Sequence, residues 1–354
     1  MDQPYVQGVL NFGGILKNRI LSGKSYSEIT DILSESGFSN IQAEKITYWL
    51  YRRRIRDFME MDNLPKTVRL YLNDQFLPGF YEPYQTILSD DQSKKYIFST
   101  QSGFPVEAVY MPDNKRNTVC VSTQAGCRMG CCFCYTGKLG FKGNLEVYEI
   151  LNQVGSIPEA AKLTHVVFMG MGEPLDNYDN LLKAIDILTA QWGFAFSPRN
   201  VTISTIAIKP RLETFIEKTK CNIAISIHSP FEDERSTMIP SAGKYNVREI
   251  LDLIQAHNWE RHRRVTFQYI MIDGFNDTER HLKELIRILK GTRIRINLMS
   301  YHPSEGSILQ SSPDELQWYF KRQLVYNGIS ASIRRSRGED IGAACGLLGS
   351  ATER

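Results

Sequence analysis

The sequence of 354 residues lacks the marks of a membrane or secreted protein. No stretch approaches the ~20 consecutive apolar residues that a membrane-spanning helix needs. The first residues, Met1 to Pro4, contain no basic segment followed by an apolar run, so we expect no secretory signal. Internal repeats, low-complexity tracts and long linkers are also missing from the sequence. We therefore expect a globular, cytoplasmic protein without a membrane partner.

The sequence also has little net charge, because 42 lysines and arginines face 39 acidic residues and leave only +3. Overall charge therefore does not identify a nucleic-acid-binding protein. The arginines are unevenly distributed, and each cluster is either solvated surface or a contact for phosphate groups. The clusters are Arg52, Arg53, Arg54 and Arg56; Arg261, Arg263 and Arg264; and Arg334, Arg335 and Arg337.

Cysteine is scarce, but its distribution is informative. Cys221 and Cys345 stand alone among the seven cysteines, whereas the other five fall within fifteen residues. In a cytosolic chain, such crowding indicates metal or redox chemistry rather than a framework of structural disulfides. The five crowded cysteines are Cys120, Cys127, Cys131, Cys132 and Cys134.

The apolar pattern divides the chain into three regions. Residues 1–90 predict a small helical domain, in which Ile29 and Leu33 share one helix face and Ile46 and Leu50 share another. Two short apolar runs on either side of a glycine-containing turn then predict a β-hairpin within residues 91–117.

Residues 118–354 predict an α/β architecture in which apolar strands alternate with amphipathic helices. Six such units indicate an incomplete parallel barrel, a partial (β/α)6 barrel. In barrels of this kind the active site forms at the carboxyl ends of the strands. The candidate strands are residues 118–122, 165–169, 201–206, 222–227, 265–272 and 294–299.

The strongest chemical motif is Cys-x3-Cys-x2-Cys, formed by Cys127, Cys131 and Cys134 directly after the first barrel strand. Thiolates suit iron–sulfur clusters or zinc, but a structural zinc site usually takes four ligands in two separated pairs. Three thiolates on a [4Fe–4S] cluster leave one iron open to S-adenosylmethionine (SAM), whose reductive cleavage gives a 5′-deoxyadenosyl radical. Cys132 fits the spacing less well. Zinc and unrelated cysteines remain alternatives.

Polar residues and glycines follow three of the predicted strands. Gly172 and Glu173 come after the second strand, where glycine lets the backbone approach a ligand and the carboxylate can accept from an ammonium group such as that of SAM. Ser204 ends the third strand, and Ser226 and His228 end the fourth. Each residue alone is ordinary, but together they point toward the mouth of the barrel.

These motifs resemble those of the radical SAM superfamily. More narrowly, the chain resembles the dual-specificity 23S rRNA and tRNA adenine methyltransferases and their C8-methylating antibiotic-resistance relatives. The resemblance runs from about residue 27 to the end and rests on residues 120–127, 169–175, 226–230 and 337–346. It implies a radical SAM barrel with an N-terminal RNA-binding domain, a [4Fe–4S] cluster and two SAM molecules per turnover. It also implies 23S rRNA and tRNA as partners and a flavodoxin- or ferredoxin-type electron donor. We expect a monomer.

The resemblance also implies roles for single residues. Carbon 2 of adenine is electron-poor and does not attack the SAM methyl group, so in the family a cysteine first takes the methyl and a radical formed on it adds to the base. By position, Cys345 resembles this methyl carrier, Cys120 the thiol that resolves the protein–RNA adduct, and Glu107 the general base. Without the resemblance, Glu107 would be interpreted as a solvent-facing hairpin residue. The positions that match SAM contacts are Gly172, Glu173, Ser204, Ser226, Ile227, His228 and, where the family usually has Asn, His302.

Two further departures lie beside the predicted methyl carrier, where Gly342 and Leu347 replace polar residues of the family pattern. The sequence also leaves open which adenine carbon is methylated, because Pro174 resembles the C2 group and the segment after His228 resembles the C8 group. We expect C2 methylation. The alternatives are C8 methylation and a non-catalytic, zinc-bound RNA-binding protein.

Overall fold

The structure, a computed structural model, describes residues 19–350 except 115, 242 and 305. The predicted start of the helical domain and the predicted lack of a secretory signal lie outside the described residues, as do residues 351–354 of the predicted barrel region. Within the described part of the chain, no helix combines the length and apolarity needed to cross a membrane.

The N-terminal region is helical, as predicted. Its first helix begins at a capping box, in which the Ser25 hydroxyl accepts from the Glu28 N–H and the Glu28 carboxylate accepts from the Ser25 N–H. The predicted apolar stripes are buried and form the core of this region. The helices are α1 (Tyr26–Glu35), α2 (Ile41–Thr47), a π-helical continuation (Tyr48–Arg53), a 3-10 turn (Phe58–Glu60) and α3 (Lys66–Gln75).

An antiparallel extension follows the helices. It contains β1 (Gln85–Leu88), β2 (Lys94–Ser99) and β3 (Pro105–Met111), paired in that order. The hairpin of β2 and β3 confirms the prediction, but β1 lies within residues 1–90, for which only helices were expected. This strand is short and mostly exposed, so it lacks the apolar alternation by which a strand is recognised in a sequence.

The remaining strands and helices alternate. The strands are β4 (Thr118–Cys120), β5 (Gln124–Gly126), β6 (Phe141–Asn144), β7 (His165–Phe168), β8 (Val201–Thr205), β9 (Asn222–Ser226), β10 (Val265–Met271), β11 (Arg295–Ser300) and β12 (Ala331–Arg334). The helices are α4 (Tyr135–Lys138), α5 (Val147–Gly155), α6 (Tyr178–Thr189), α7 (Arg211–Lys218), α8 (Glu232–Met238), α9 (Val247–Ala256), α10 (Glu279–Leu289) and α11 (Asp314–Tyr326).

The sheet order is β1-β2-β3-β4-β7-β8-β9-β10-β11-β12, and every pairing from β4 onward is parallel. All six predicted barrel strands are present, which confirms the α/β radical SAM fold. The parallel strand β12 was not predicted, because it is short and only partly buried.

Helices cover the outer face of this sheet through their apolar stripes. Leu181 of α6, Ile250 of α9 and Leu285 of α10 are fully buried, and burial of such a side chain contributes roughly 1.5–3 kcal/mol. The strands β5 and β6 form a separate two-stranded sheet at the carboxyl end of the barrel. The predicted cysteine motif begins directly after β5.

Candidate active site

The loop that carries the cysteine motif, residues 126–134, is held between the β5–β6 sheet and helix α4; we call it the cluster loop. The Cys127 N–H donates to the Gly140 carbonyl at 3.1 Å, and Cys134 immediately precedes α4. Cys127, Cys131 and Cys134 line one cavity at the carboxyl ends of the strands. Cys132, by contrast, is exposed.

The three cavity-lining thiols fit a cluster of soft metal ions. Burial raises the pKa of Cys127 to about 12 and also raises the pKa values of Cys131 and Cys134. Nearby cations such as iron stabilise the thiolate form and reverse this effect. Within the described residues, no three His, Cys, Asp or Glu side chains are arranged around one metal-ion position. A [4Fe–4S] cluster places each thiolate on a different iron atom, so these donors fit the cluster better than a single zinc ion.

The same cavity, of about 150 Å³, collects most of the predicted SAM-binding residues. Gly172, Glu173, Ser204, Ser226 and His228 all line it. The predicted residue Ile227 is fully buried behind them, and its N–H donates to the Gln268 carbonyl. The ends of β7, β8 and β9 therefore bring these side chains opposite the cluster loop.

Gly172 occupies a position that only glycine fits. Its φ is +93°, and a Cβ atom there would lie 2.5 Å from the Gln124 side chain. The same Gln124 side chain accepts from the Glu173 N–H at 2.9 Å. The glycine thus allows the strand-end loop to pack against β5 and fixes the backbone of Glu173.

Glu173 is buried, and the protein already supplies most of the hydrogen bonds that its carboxylate can accept. One oxygen accepts from the Leu175 N–H at 3.0 Å and the Thr205 hydroxyl at 2.6 Å, and the other accepts from the Ile206 N–H at 3.0 Å. One acceptor position remains on the second oxygen. Burial raises the pKa of Glu173 to about 7. A ligand ammonium at the open position would favour the ionised carboxylate. Sequence reasoning missed Thr205, because nothing marks which of two neighbouring hydroxyls turns toward Glu173.

His228 is held as a neutral donor. Its backbone is left-handed, with φ of 55°, and its Nδ1 accepts from the Ile270 N–H at 3.1 Å. The ring contacts Phe133 of the cluster loop edge to face, with centroids 4.6 Å apart. Burial lowers the pKa of His228 to about 3. Because Nδ1 is an acceptor, the proton lies on Nε2, which can donate to a ligand in the cavity.

Residues 338–350, which we call the C-terminal loop, complete the site. Cys345 lines the first cavity and also a second, adjacent cavity that contains Cys120 and His302. Cys120 is buried, whereas Cys345 is half-buried. Burial raises the pKa of Cys120 to about 12, and the neighbouring Cys345 thiol contributes to the increase. The two cysteines that stood far apart in the sequence therefore lie next to each other.

Hydrogen bonds attach the C-terminal loop to helix α4, which directly follows the cluster loop. The Tyr135 N–H donates to the Gly346 carbonyl at 2.7 Å, and the Thr136 hydroxyl donates to the Leu348 carbonyl at 2.8 Å. On the opposite side, the Gly349 N–H donates to the Glu107 carboxylate at 3.0 Å. Cys345 is thus held between the cluster cysteines and the antiparallel extension.

Glu107 is fully buried on β3, so the interpretation as a solvent-facing hairpin residue is wrong. Val109, two residues further along β3, pairs with Cys120, and alternate residues of a strand face the same side. Glu107 and Cys120 therefore share one face of the sheet. The fully buried Lys95 ammonium lies 3.7 Å from the Glu107 carboxylate. Burial raises the pKa of Glu107 and lowers that of Lys95.

His302 lies away from the residues predicted to bind SAM. It lines the second cavity with Cys120 and Cys345 instead of the first. Its ring nitrogens contact the Ser336 hydroxyl at 2.6 Å and the Glu339 carboxylate at 3.1 Å. After β11 the chain turns toward the C-terminal loop, and this turn places His302 beside that loop. The SAM contact expected of His302 stays a prediction.

The two other departures from the family pattern, Gly342 and Leu347, have local explanations. Gly342 adopts φ of +62°, a conformation in which glycine avoids the steric cost of a side chain. A Cβ atom there would lie 3.6 Å from the Lys95 Nζ and 2.8 Å from the Ser350 hydroxyl. Leu347 is buried against the rest of the loop.

The first arginine cluster is largely engaged within the protein. The Arg52 guanidinium donates to the Gln191 and Phe194 carbonyls at 3.0 and 3.2 Å, and Arg56 forms an ion pair with Glu82. The Arg52 contacts join the N-terminal helices to the loop after α6. Arg53 is exposed, and its guanidinium lies 5.6 Å from the centre of the Trp49 ring.

Comparison with known proteins agrees with this geometry. The Radical SAM superfamily model matches residues 121–287, and the model of the ribosomal RNA large subunit methyltransferase N-terminal domain matches residues 21–77.

Two curated relatives cover nearly the whole chain. A probable dual-specificity RNA methyltransferase RlmN of Phocaeicola vulgatus is 40% identical over 94% of this chain and 95% of the relative. The dual-specificity RNA methyltransferase RlmN of Halorhodospira halophila is 39% identical over 90% and 89%. Among solved structures, a radical SAM methyltransferase from Sphaerobacter thermophilus superposes with a TM-score of 0.86 at 35% identity, covering 94% of this chain and 99% of that one.

Proposed function

The chain belongs to the RlmN family of dual-specificity RNA methyltransferases within the radical SAM superfamily, and from this premise we propose that it methylates C2 of an adenosine in 23S rRNA. We extend the proposal to an anticodon-adjacent adenosine in tRNA. The observation that carries it is the position of Cys345, which lines both the cavity of the cluster loop and the cavity of Cys120. One side chain can therefore face a methyl donor on one side and a resolving thiol on the other.

In this proposal Cys127, Cys131 and Cys134 hold a [4Fe–4S] cluster, and Glu173 and His228 orient SAM through the open acceptor position and the Nε2–H donor. When bound, the cluster and SAM supply a 5′-deoxyadenosyl radical. Two SAM molecules are used per turnover, because one must first methylate Cys345 and another must activate that methyl group.

The resolving step belongs to Cys120. The bond between the base and the carbon on the Cys345 sulfur forms with loss of one proton, which Glu107 would accept, and of one electron, which a cluster held by Cys127, Cys131 and Cys134 would take up. Cys120 then attacks that sulfur as a thiolate. A disulfide forms, the bond between the Cys345 sulfur and the carbon breaks, and its electron pair remains with the base. A proton then completes the methyl group. An external thiol must reduce the disulfide before the next turnover.

The regiochemistry can be measured directly. We expect rRNA and tRNA from cells that carry the gene to contain 2-methyladenosine, and RNA from cells without it to lack this nucleoside. Mass spectrometry of digested nucleosides separates 2-methyladenosine from 8-methyladenosine. Cells that express Cys345→Ala serve as the matched control. Detection of 8-methyladenosine alone would assign the chain to the C8 alternative.

The remaining partners follow from the chemistry. The cluster needs an electron at low potential, so we propose a flavodoxin- or ferredoxin-type donor and a cytoplasmic monomer. Anaerobic purification should give a brown protein that contains iron and sulfide, whereas a colourless protein with bound zinc would support the zinc alternative. Light scattering during gel filtration tests the monomer.

The N-terminal domain is proposed to contact RNA, with support from its match to a ribosomal RNA methyltransferase N-terminal domain model. Because Arg52 and Arg56 have partners within the protein, the exposed Arg53 is the residue to test. We expect Arg53→Gln to reduce the salt dependence of RNA binding by about one phosphate contact. An unchanged salt slope would assign Arg53 to solvated surface.

A further inference from the structure

A long groove runs along the inner, concave face of the parallel sheet. It has a volume of about 690 Å³ and is lined by small polar side chains from successive strands. These include Thr118 of β4, Thr202 of β8, Thr266 of β10, Asn297 of β11 and Ser332 of β12. We call this cavity the inner groove. Such polar side chains are unlike the apolar packing that fills the interior of a closed barrel.

The inner groove is strongly cationic. Seven arginines line it, and the lining contains a single acidic residue, Asp113. Four of the arginines are exposed and lie before or at the amino ends of strands, and the other three lie at or after the end of β12. The seven are Arg116, Arg199, Arg264 and Arg295, followed by Arg334, Arg335 and Arg337.

These charges are poorly neutralised by the protein. Across the described ranges, only Arg337 of the seven forms an ion pair, at 3.7 Å from Asp91. After the effect of burial, Arg334 and Arg264 lower the pKa of Arg116, which means that cations from different strands crowd one another. Like charges held together without counter-charges destabilise a fold. An anionic ligand would remove this cost.

Arginines on the outer helices, in contrast to those of the inner groove, lie close to acidic residues. Arg248 lies 3.3 Å from Asp252 on α9, and Arg287 lies 2.6 Å from Glu284 on α10. Those side chains resemble ordinary surface ion pairs. The unpaired arginines of the inner groove therefore reflect this particular surface rather than a general property of the chain.

The inner groove also opens into the candidate active site. It shares Met169, Gln268 and Arg334 with the cavity of the cluster loop. It shares Arg335 and Arg337 with the cavity of Cys120 and Cys345. A polyanion lying in the groove would thus end beside Cys345.

We propose that the inner groove binds the backbone phosphates of the RNA strand next to the target adenosine. This inference rests on the proposed function, because it assigns the RNA-binding surface of the same site. An extended row of seven arginines matches a chain of phosphates better than one small anion. Arginine is also well suited to phosphate because its planar group can donate two parallel hydrogen bonds.

The test compares two charge-matched double variants of the reconstituted holoenzyme. Arg264→Gln with Arg295→Gln removes two unpaired groove arginines, and Arg248→Gln with Arg287→Gln removes two paired arginines from the outer helices. Binding of an unmodified tRNA transcript is followed by fluorescence anisotropy over a series of KCl concentrations. Circular dichroism and iron content verify that each variant is folded and loaded.

We expect the groove variant to lose about tenfold or more in affinity at low salt and to reduce the salt slope by about two. The control variant should bind as the wild type does. Equal losses in both variants would mean that net charge alone matters, and an unchanged slope in the groove variant would overturn the proposal. If the wild type itself neither binds the transcript nor forms methyladenosine, the proposed function fails instead.

Discussion

The cluster loop and the C-terminal loop face each other across one cavity, yet they are built differently. The cluster loop is framed by the two strands β5 and β6 and by helix α4. The C-terminal loop consists of turns, and four of its residues are glycines with positive φ. Its attachments to Tyr135, Thr136 and Glu107 are single hydrogen bonds, each of which contributes about 0.5–1.5 kcal/mol.

This difference matches the tasks that we assign to the two loops. Metal ligands must keep their relative positions, and a framed loop fixes them. A methyl carrier must meet a donor, then a base, then a second thiol. A segment without strands or helices, held by individual hydrogen bonds, can make the small adjustments between these encounters. The predictions below probe this contrast, beginning with the largest effect.

The sharpest contrast comes from removing a cysteine from each loop. We expect Cys127→Ala to lose iron and all activity, because three thiolates are needed for the cluster. Cys345→Ala should keep its iron but lack the S-methyl group and form no methyladenosine. Iron and sulfide analysis with protein mass spectrometry distinguishes the two outcomes.

Cys132→Ala is the matched control within the cluster loop, since this cysteine is exposed rather than directed into the cavity. It should retain iron as the wild type does. Iron loss as complete as in Cys131→Ala would mean that the cluster uses a different set of thiolates.

Removing Cys120 should trap the enzyme on its substrate. Cys345 can still take the methyl group and bond to RNA, but no second thiol then releases it. We expect a covalent protein–RNA adduct through Cys345 to accumulate in cells, visible as a nuclease-sensitive shift on denaturing gels. Normal turnover of Cys120→Ala would contradict the two-cysteine mechanism, and Cys221→Ala, far from the site, provides the control.

The buried ion pair of Lys95 and Glu107 lies beneath the C-terminal loop. It should contribute more to the stability of the protein than an exposed ion pair does. Lys95→Met leaves the Glu107 carboxylate buried without its counter-charge, so we expect a loss of about 3–5 kcal/mol in the free energy of unfolding. The exposed pair offers a control, and Arg287→Gln should cost at most about 1 kcal/mol. Denaturant unfolding measures both, and equal effects would show that the Lys95–Glu107 pair contributes little.

The cluster side of the cavity should respond to pH through Glu173. Its pKa is raised from 4.5 to about 7, so the carboxyl is mostly protonated below that pH and cannot pair with an ammonium. As the pH is raised toward 7, SAM affinity should therefore increase by up to about tenfold per pH unit. Above pH 7 it should level off. Titration of the anaerobic holoenzyme, followed by electron paramagnetic resonance, measures this profile. A Glu173→Gln variant should show none of the pH dependence.

The raised pKa of Glu173 also affects the stability of the fold. Because the folded-state pKa lies above the unfolded one, the contribution of protonated Glu173 to stability is complete below pH 4.5 and is lost as pH rises through about 7.

The smallest effect should come from one contact between the C-terminal loop and helix α4, which frames the cluster loop. Thr136→Val removes the hydroxyl that donates to the Leu348 carbonyl at 2.8 Å. We expect a loss of about 1 kcal/mol and a modest fall in the methyl content of Cys345, with iron content unchanged. Thr136→Ser keeps the hydroxyl and should restore both values. If Thr136→Val also lost iron, the two loops would not be separable.

The contrast between the loops also explains what the sequence could predict. The cluster cysteines form a local motif, and the six barrel strands carry strong apolar patterns, so both were predicted from short stretches of chain. The proximity of Cys120 and Cys345 depends on how the ends of the barrel meet, and only the family resemblance indicated it. His302 was predicted to contact SAM because its place after β11 matched a family pattern, but the sequence could not show which cavity its side chain lines, since that depends on the turn that follows.

The inner groove shows a second limit of sequence reasoning. Four of its arginines come singly from separate parts of the chain, and no spacing in the sequence relates Arg116 to Arg264 or Arg295. Neighbouring arginines in the sequence can also have opposite environments. Arg263 is buried and donates to the Cys221 and Ile216 carbonyls, whereas Arg264 is exposed in the groove. Charge clusters counted along the chain therefore predict this charged surface only in part: the cluster of Arg334, Arg335 and Arg337 lies in the groove, but Arg116, Arg199 and Arg295 belong to no cluster.

The burial of Cys120 has a consequence for chemical selectivity. Two thiols lie side by side, but methyl transfer from a sulfonium donor requires a thiolate that the donor can reach. Cys120 is buried outside the cluster cavity, and burial raises its pKa to about 12, which disfavours its thiolate form, whereas Cys345 lines that cavity. Only one of the two sulfurs should therefore be alkylated. A small alkylating reagent such as iodoacetamide should show the same order, modifying Cys120 last.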